Sequence, residues 1–213
     1  MGASGDERVL FANLRRLGRS PRPNVEKCEL CSAELASQHQ HLLDTKTRGV
    51  LCSCDACAIL FPLQQGQGYR RIPRYSRFLS GFAMSDAQWQ MLNIPIDLAF
   101  FCRTGVPPRP VAYYPSVAGA VQSLLSLESW DEIAAKNPIL DTMEAEVEAL
   151  LINRTTTPHE YYLLPIDECY RLVGLIRQQW RGFSGGKEMW QTIAGFFMAL
   201  KQRAKHVGGD AHA

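Results

Sequence analysis

The sequence predicts an α+β protein, with a small zinc-ribbon-like metal module followed by a mixed α+β domain closed by C-terminal helices. Three observations carry this. Five of the seven cysteines (Cys28, Cys31, Cys52, Cys54 and Cys57) fall within thirty residues and are interleaved with His39 and His41. Beyond residue 81, short aromatic and aliphatic runs alternate with segments of helical period. Near the C-terminus the pattern becomes strongly amphipathic at i, i+3, i+4 and i+7.

The 213 residues suit one large or two small domains, and 46% hydrophobic content excludes a mainly disordered or collagen-like chain. No apolar run approaches the ~18–20 residues that span a bilayer. The N-terminus lacks the uninterrupted apolar stretch of a secretory signal. Gly2 does not open a myristoylation motif, because position 6 is Asp6. Clustered cysteines beside histidines read as a metal binder in a reducing compartment, so the expected localisation is cytoplasmic. The net charge of +2 hides an asymmetry: residues 1–80 carry 12 Lys+Arg against 7 Asp+Glu, and residues 81–213 carry 11 against 14. Basicity therefore accompanies the cysteine cluster.

In chain order, residues 1–24 read as an amphipathic helix (Val9, Leu10, Leu14, Leu17) and a proline-broken linker. Residues 25–62 are the Cys/His module, ending in the apolar run Ala58–Phe61. Residues 63–81 read as a basic connector, and 82–205 as the α+β domain. Within it, Ser85 caps a helix through Leu92, 96–101 and 110–114 are strands, and 116–128 is a helix. Asp141 and Glu144 form a capping-box variant opening a helix through Ile152. Tyr161–Leu164 is a strand. Asp167 caps a helix whose core face is Cys169, Leu172, Val173, Ile176 and Trp180. A last helix, 187–203, turns Trp190, Ile193, Ala194, Phe197 and Leu200 inward, and 206–213 is a frayed tail. Cys102 and Cys169 read as small buried hydrophobes.

The chemistry lies in Cys28-x2-Cys31, His39-x-His41 and Cys52-x-Cys54-x2-Cys57. A Cys-x2-Cys turn points two sulfurs at one place, so the 28/31 and 54/57 turns together make a four-sulfur tetrahedron for zinc. Residues 38–52 form the intervening hairpin, turning around Asp44–Gly49, with His39 and His41 on one face because strand side chains alternate. For His39, His41 and Cys52, three arrangements stay open. They support the hairpin, or they hold a second ion with three protein ligands and a free position, or seven ligands serve two ions through one bridging sulfur. An iron–sulfur cluster is the alternative cofactor, because thiolates serve both chemistries. Lys27, Lys46 and Arg48 read as solvated charges, with neutralisation of the thiolates as the alternative.

The knuckle, the two histidines and Arg48-Gly49-Val50-Leu51-Cys52 together resemble zinc-stapled His-Asn-His nucleases of the phage recombination endonuclease type. That resemblance implies a water-activating histidine beside a divalent ion, and nucleic acid as a partner. The chain departs from the pattern, with Gln38 and Gln40 where acids are expected and Ala58 where Asn is expected. Metal-assisted hydrolysis loses ligands it needs. Tyr69 to Phe78 interleaves four arginines with aromatics and suits a nucleic-acid or protein interface, or a plain connector. Elsewhere no acid/base or nucleophile constellation stands out. His159 is a lone loop histidine, and Asp167-Glu168 reads as capping and dipole compensation.

Cys28-Glu29-Leu30-Cys31, His39-Gln40-His41-Leu42-Leu43-Asp44, Leu51-Cys52-Ser53-Cys54-Asp55-Ala56-Cys57, Tyr69-Arg70-Arg71-Ile72-Pro73, the segment from Ile94 to Phe101, Tyr114-Pro115-Ser116 and Asp167 to Arg177 together resemble one bacterial family. Its uncharacterised members are encoded beside actinobacterial-type, oxygen-tolerant nickel–iron uptake hydrogenases, and the resemblance runs over roughly residues 25–205. It implies an accessory role in maturation, assembly or electron delivery, with hydrogenase subunits or maturation factors as protein partners. The expected function is thus a metal-binding accessory protein, with an iron–sulfur redox carrier and a degenerate nuclease as alternatives.

Overall fold

The computed structural model describes residues 25–63, 68–123, 127–182 and 185–208, so the N-terminal helix and linker expected over 1–24 lie outside the described residues. A mixed α+β architecture is present, with one sheet of three strands and one of seven.

The small sheet has the order β2-β1-β3, formed by β1 (Gln40–Asp44), β2 (Val50–Ser53) and β3 (Tyr69–Arg71), all antiparallel. The β1–β2 hairpin turns at Asp44, whose Oδ1 accepts the amides of Lys46 and Thr47 at 2.8 and 3.3 Å. Those N–H groups hold the Asp44 carboxyl below its ordinary range. Helix α1 (Asp55–Leu63) follows β2 directly. Residues 63–81 therefore differ from a plain connector: Tyr69–Arg71 completes the module's sheet, and Arg77–Leu79 is strand β4 of the large one.

The large sheet runs β10-β4-β9-β8-β5-β6-β7, with β5 (Leu98–Thr104), β6 (Arg109–Ser116), β7 (Gly119–Ser123), β8 (Glu148–Asn153), β9 (Glu160–Pro165) and β10 (Lys205–Val207). All pairings are antiparallel except β10 with β4. Strand residues alternate between two cores. Phe100, Cys102, Ala149, Leu151, Tyr162 and Leu164 face helices α4 (Ile166–Gln179) and α5 (Gly186–Arg203). Ala99, Phe101, Leu150, Ile152, Tyr161 and Leu163 share the other core with Trp89 of α2 (Asp86–Met91) and Ile133 of α3 (Leu127–Lys136). The module joins the first core through Leu43 and Ile72. Arg48, half-buried, pairs with Glu146, and its Nη2 lies 3.9 Å from Cys102 Sγ, so it ties the two sheets together.

Four expectations change. Within the helix expected over 116–128, Gly119–Ser123 is instead strand β7, reached by a turn in which Ser116 Oγ accepts the Ala118 amide at 3.1 Å and Gly119 adopts φ 117°, and a helix starts at Leu127. The helix from Asp141 to Ile152 is a 3₁₀ turn (Pro138–Thr142) followed by β8, which is buried along its whole length between β9 and β5. An apolar run buried on both faces has no period to distinguish strand from helix. Residues 205–207 are not frayed but form β10. On α5, Trp190 and Ala194 are exposed while Met189 and Phe196 fill the core. The Ser85 cap, the strands at 110–114 and 161–164, and the inward face of α4 from Cys169 to Ile176 are present as expected, and the strand expected from Ile96 begins at Leu98.

Candidate metal centre

The first cysteine pair sits on a tight turn. The Ser32 amide donates to Cys28 O at 2.7 Å, the Cys28 amide donates to Ala33 O at 2.8 Å, and Ser32 takes φ 62°. The turn is pinned to β2 twice: the Glu29 amide donates to Cys52 O at 3.0 Å, and Glu29 Oε2 accepts the Cys52 amide at 2.6 Å. The second pair straddles the start of α1, where the Cys57 amide donates to Cys54 Sγ at 3.5 Å. The centre is therefore knuckle, hairpin and helix, and not a ribbon of two matched turns. Asp55 fixes that helix start by accepting from Gln40 Nε2 at 3.0 Å.

Among the described residues, two groups bring ligand atoms to within 4.8 Å of one another: Cys28, Cys31, Cys54 and Cys57, and separately His39, His41 and Cys52. All seven residues singled out in the sequence thus fall into one group or the other. The four cysteines could hold a metal ion. Cys31 Sγ and Cys54 Sγ stand 3.7 Å apart, against about 3.8 Å for two corners of a tetrahedron with 2.3 Å zinc–sulfur bonds. Burial pushes the Cys28 thiol up, but N–H groups of Cys54, Leu30 and Cys31 outweigh it and hold the thiol at about 6. Cys57 moves far the other way, raised by burial and by the neighbouring sulfurs. Four such sulfurs shed their protons together only when a cation offsets their mutual repulsion.

The second group is built by the hairpin. His41 lies directly across from Cys52 in the β1–β2 register, which puts both on the same face, and His39 precedes His41 by two. His39 Nδ1 lies 3.0 Å from Ala36 O, and His41 Nδ1 lies 2.6 Å from Asp167 Oδ2. A carbonyl and a carboxylate only accept, so each Nδ1 carries a proton, and in a neutral ring the Nε2 then presents a lone pair. The two Nε2 atoms face each other at 3.2 Å, close to the about 3.3 Å between imidazole corners of a tetrahedral zinc. Two lone pairs at that distance repel unless a proton on one ring or a metal cation lies between them. The Asp167 hydrogen bond raises the His41 pKa against the opposing effect of burial, and burial together with Glu29 and Glu26 raises that of Cys52.

Asp167 is the functional residue that sequence reasoning misplaced. It sits in the first turn of α4, where Pro165 is the N-cap and no side-chain cap forms. Its Oδ1 accepts the Glu168 amide at 2.9 Å, and its Oδ2 reaches across to His41. An acid in a segment with its own strong pattern was the available signal, but nothing local ties it to a histidine 126 positions earlier. The other residues noted in the sequence stay apart from the centre. Cys102 and Cys169 are buried in the first core, and His159 Nδ1 bonds to Thr156 O at 3.0 Å. Arg77 is spent on Glu148, which is fully buried, at 3.2 Å. Of the Arg-aromatic segment, Arg74 reaches the site, lining a cleft in front of the two histidines.

No helix among the described residues is long and apolar enough to cross a membrane. No curated protein and no solved structure matches the chain. The sequence model of a family of unknown function, DUF5947, matches residues 27–204 and so takes in both ligand groups and Asp167; the chain belongs to that family.

Proposed function

We propose that the protein is a metal-binding accessory protein that carries two ions. Cys28, Cys31, Cys54 and Cys57 hold a closed zinc ion that folds the module, and His39, His41 and Cys52 hold a second ion with one free coordination position. The observation that carries this is the separation of seven ligands into a set of four and a set of three, each within 4.8 Å. Cys52 falls with the histidines, so no sulfur has to bridge. All four sulfurs lie within 4.8 Å of one another, which favours a single ion over an iron–sulfur cluster, whose thiolates sit on more than one iron. A four-iron cluster attaches each thiolate to a different iron and spreads them further apart. Asp167 completes a carboxylate–histidine–metal arrangement, in which the carboxylate fixes the imidazole's tautomer and orientation.

Action through protein contacts is supported by α1. Its start holds Cys54 and Cys57, and it turns Ile59, Leu60 and Leu63 to solvent, each more than half exposed. The narrower assignment, to assembly or maturation of a nickel–iron hydrogenase, rests on the sequence resemblance.

Elemental analysis with a visible spectrum on anaerobically purified protein tests the two-ion reading. Two zinc ions per chain in a colourless sample are expected, falling to one in His41→Ala, whereas Cys54→Ser removes the ion that folds the module and loses both. One ion in the wild type removes the second site, and iron with acid-labile sulfide replaces the reading with an electron carrier. Co-purification with hydrogenase subunits tests the partner, and absence of any complex removes it.

A further inference from the structure

We propose that the free position of the second ion opens into a basic cleft that takes a small organic oxyanion, a carboxylate or a phosphate, as a ligand of that ion. This rests on the two-ion reading above. The cleft holds about 530 Å³, within the range of small-molecule sites, and its walls include His39, His41 and Asp167 on one side and Arg74, Arg203 and Lys205 among the rest. Cys52 does not line it. With both histidines on the cleft wall and Cys52 off it, the free position of an ion held by the three is assigned to the cleft side.

The charges decide which ligand fits. Asp167 is committed to His41 at 2.6 Å. Glu168, the cleft's other acid, is shared between Arg171 and Arg203, each at 2.7 Å. Arg74 meets only a neutral oxygen, Gln38 Oε1 at 3.3 Å. Lys205 is held in place by its backbone, its amide donating to Ser76 O at 2.8 Å, with its side chain at the cleft. Among the described residues, then, two cations without a carboxylate partner line the same cavity as the proposed divalent ion. An oxyanion that ligates the ion through one oxygen and meets Arg74 through another relieves that repulsion with charge-assisted hydrogen bonds. A neutral or cationic ligand does not.

Cobalt(II) loaded into the full chain tests this, because its d–d bands respond to a change of the fourth ligand. Titration with succinate and with methylphosphonate distinguishes the two oxyanion sources. A saturable spectral change with either is expected, weakened roughly tenfold in Arg74→Ala, with two cobalt ions retained per chain. An unchanged spectrum at two ions per chain overturns the cleft assignment and leaves the two-ion reading standing, as does a titration that Arg74→Ala leaves unaltered. One cobalt per wild-type chain overturns both.

Discussion

At the scale of single residues, the contact that matters most is the 2.6 Å hydrogen bond from His41 Nδ1 to Asp167. Replacing the carboxylate with an amide keeps the shape but lets the imidazole change tautomer. Asp167→Asn should lower metal affinity at the His39/His41/Cys52 group by about 10–100-fold. The four-cysteine site should keep its ion, and competition with a chromophoric chelator should resolve the two. The cysteines divide in the same way. Burial pushes Cys102 up to about 11 and holds Cys169 well above the ordinary thiol range, so neither supplies thiolate at neutral pH. Metal removal loosens the module and exposes its thiols, so alkylation at neutral pH followed by mass spectrometry should label the five module cysteines, with the remaining two, packed in the core, reacting only in denaturant. The seven candidate ligands were legible because ligand spacing is a local property of the chain. Asp167 was not, because its role exists only once two distant elements meet.

At the scale of elements, β8 shows what packing does to a pattern. Glu148–Asn153 is buried from end to end, with Ala149 and Leu151 in one core and Leu150 and Ile152 in the other. Leu151→Ala should cost about 2–5 kcal/mol in urea unfolding, since the lost methyl groups leave a cavity with rigid neighbours on every side. The same double burial is why the segment reads as a helix in sequence: with both faces apolar, neither period wins, and the nearby Asp141 and Glu144 imitate a capping box. The Glu144 amide instead donates to Glu148 Oε2 at 2.8 Å. Helices α4 and α5 were legible because one face of each meets solvent and the contrast survives. Strand β10 was not, since Lys205–Val207 is a strand only by virtue of lying parallel to β4.

At the scale of the molecule, the module and the large sheet are held by Leu43 and Ile72 in a shared core, by Arg48 on Glu146, and by His41 on Asp167. Stripping both ions should therefore loosen the small sheet while the large one persists, because metal-binding free energy is folding free energy in such modules. Amide exchange read by mass spectrometry should speed up by about a hundredfold or more across residues 40–53. Strands β8 and β9, buried between two cores, should keep their protection. Comparable acceleration in both sheets would mean that the centre supports the whole chain.

The span from His41 to Asp167 also sets an order in time. A ribosome delivers the N-terminal part first. The four cysteines of the closed site are all present once residue 57 has emerged, whereas the carboxylate that orients His41 arrives 126 residues after it. On the two-ion proposal, the four-cysteine site is complete while most of the chain is still being made, and the His39/His41/Cys52 site gains its full support only when the helix bearing Asp167 has docked.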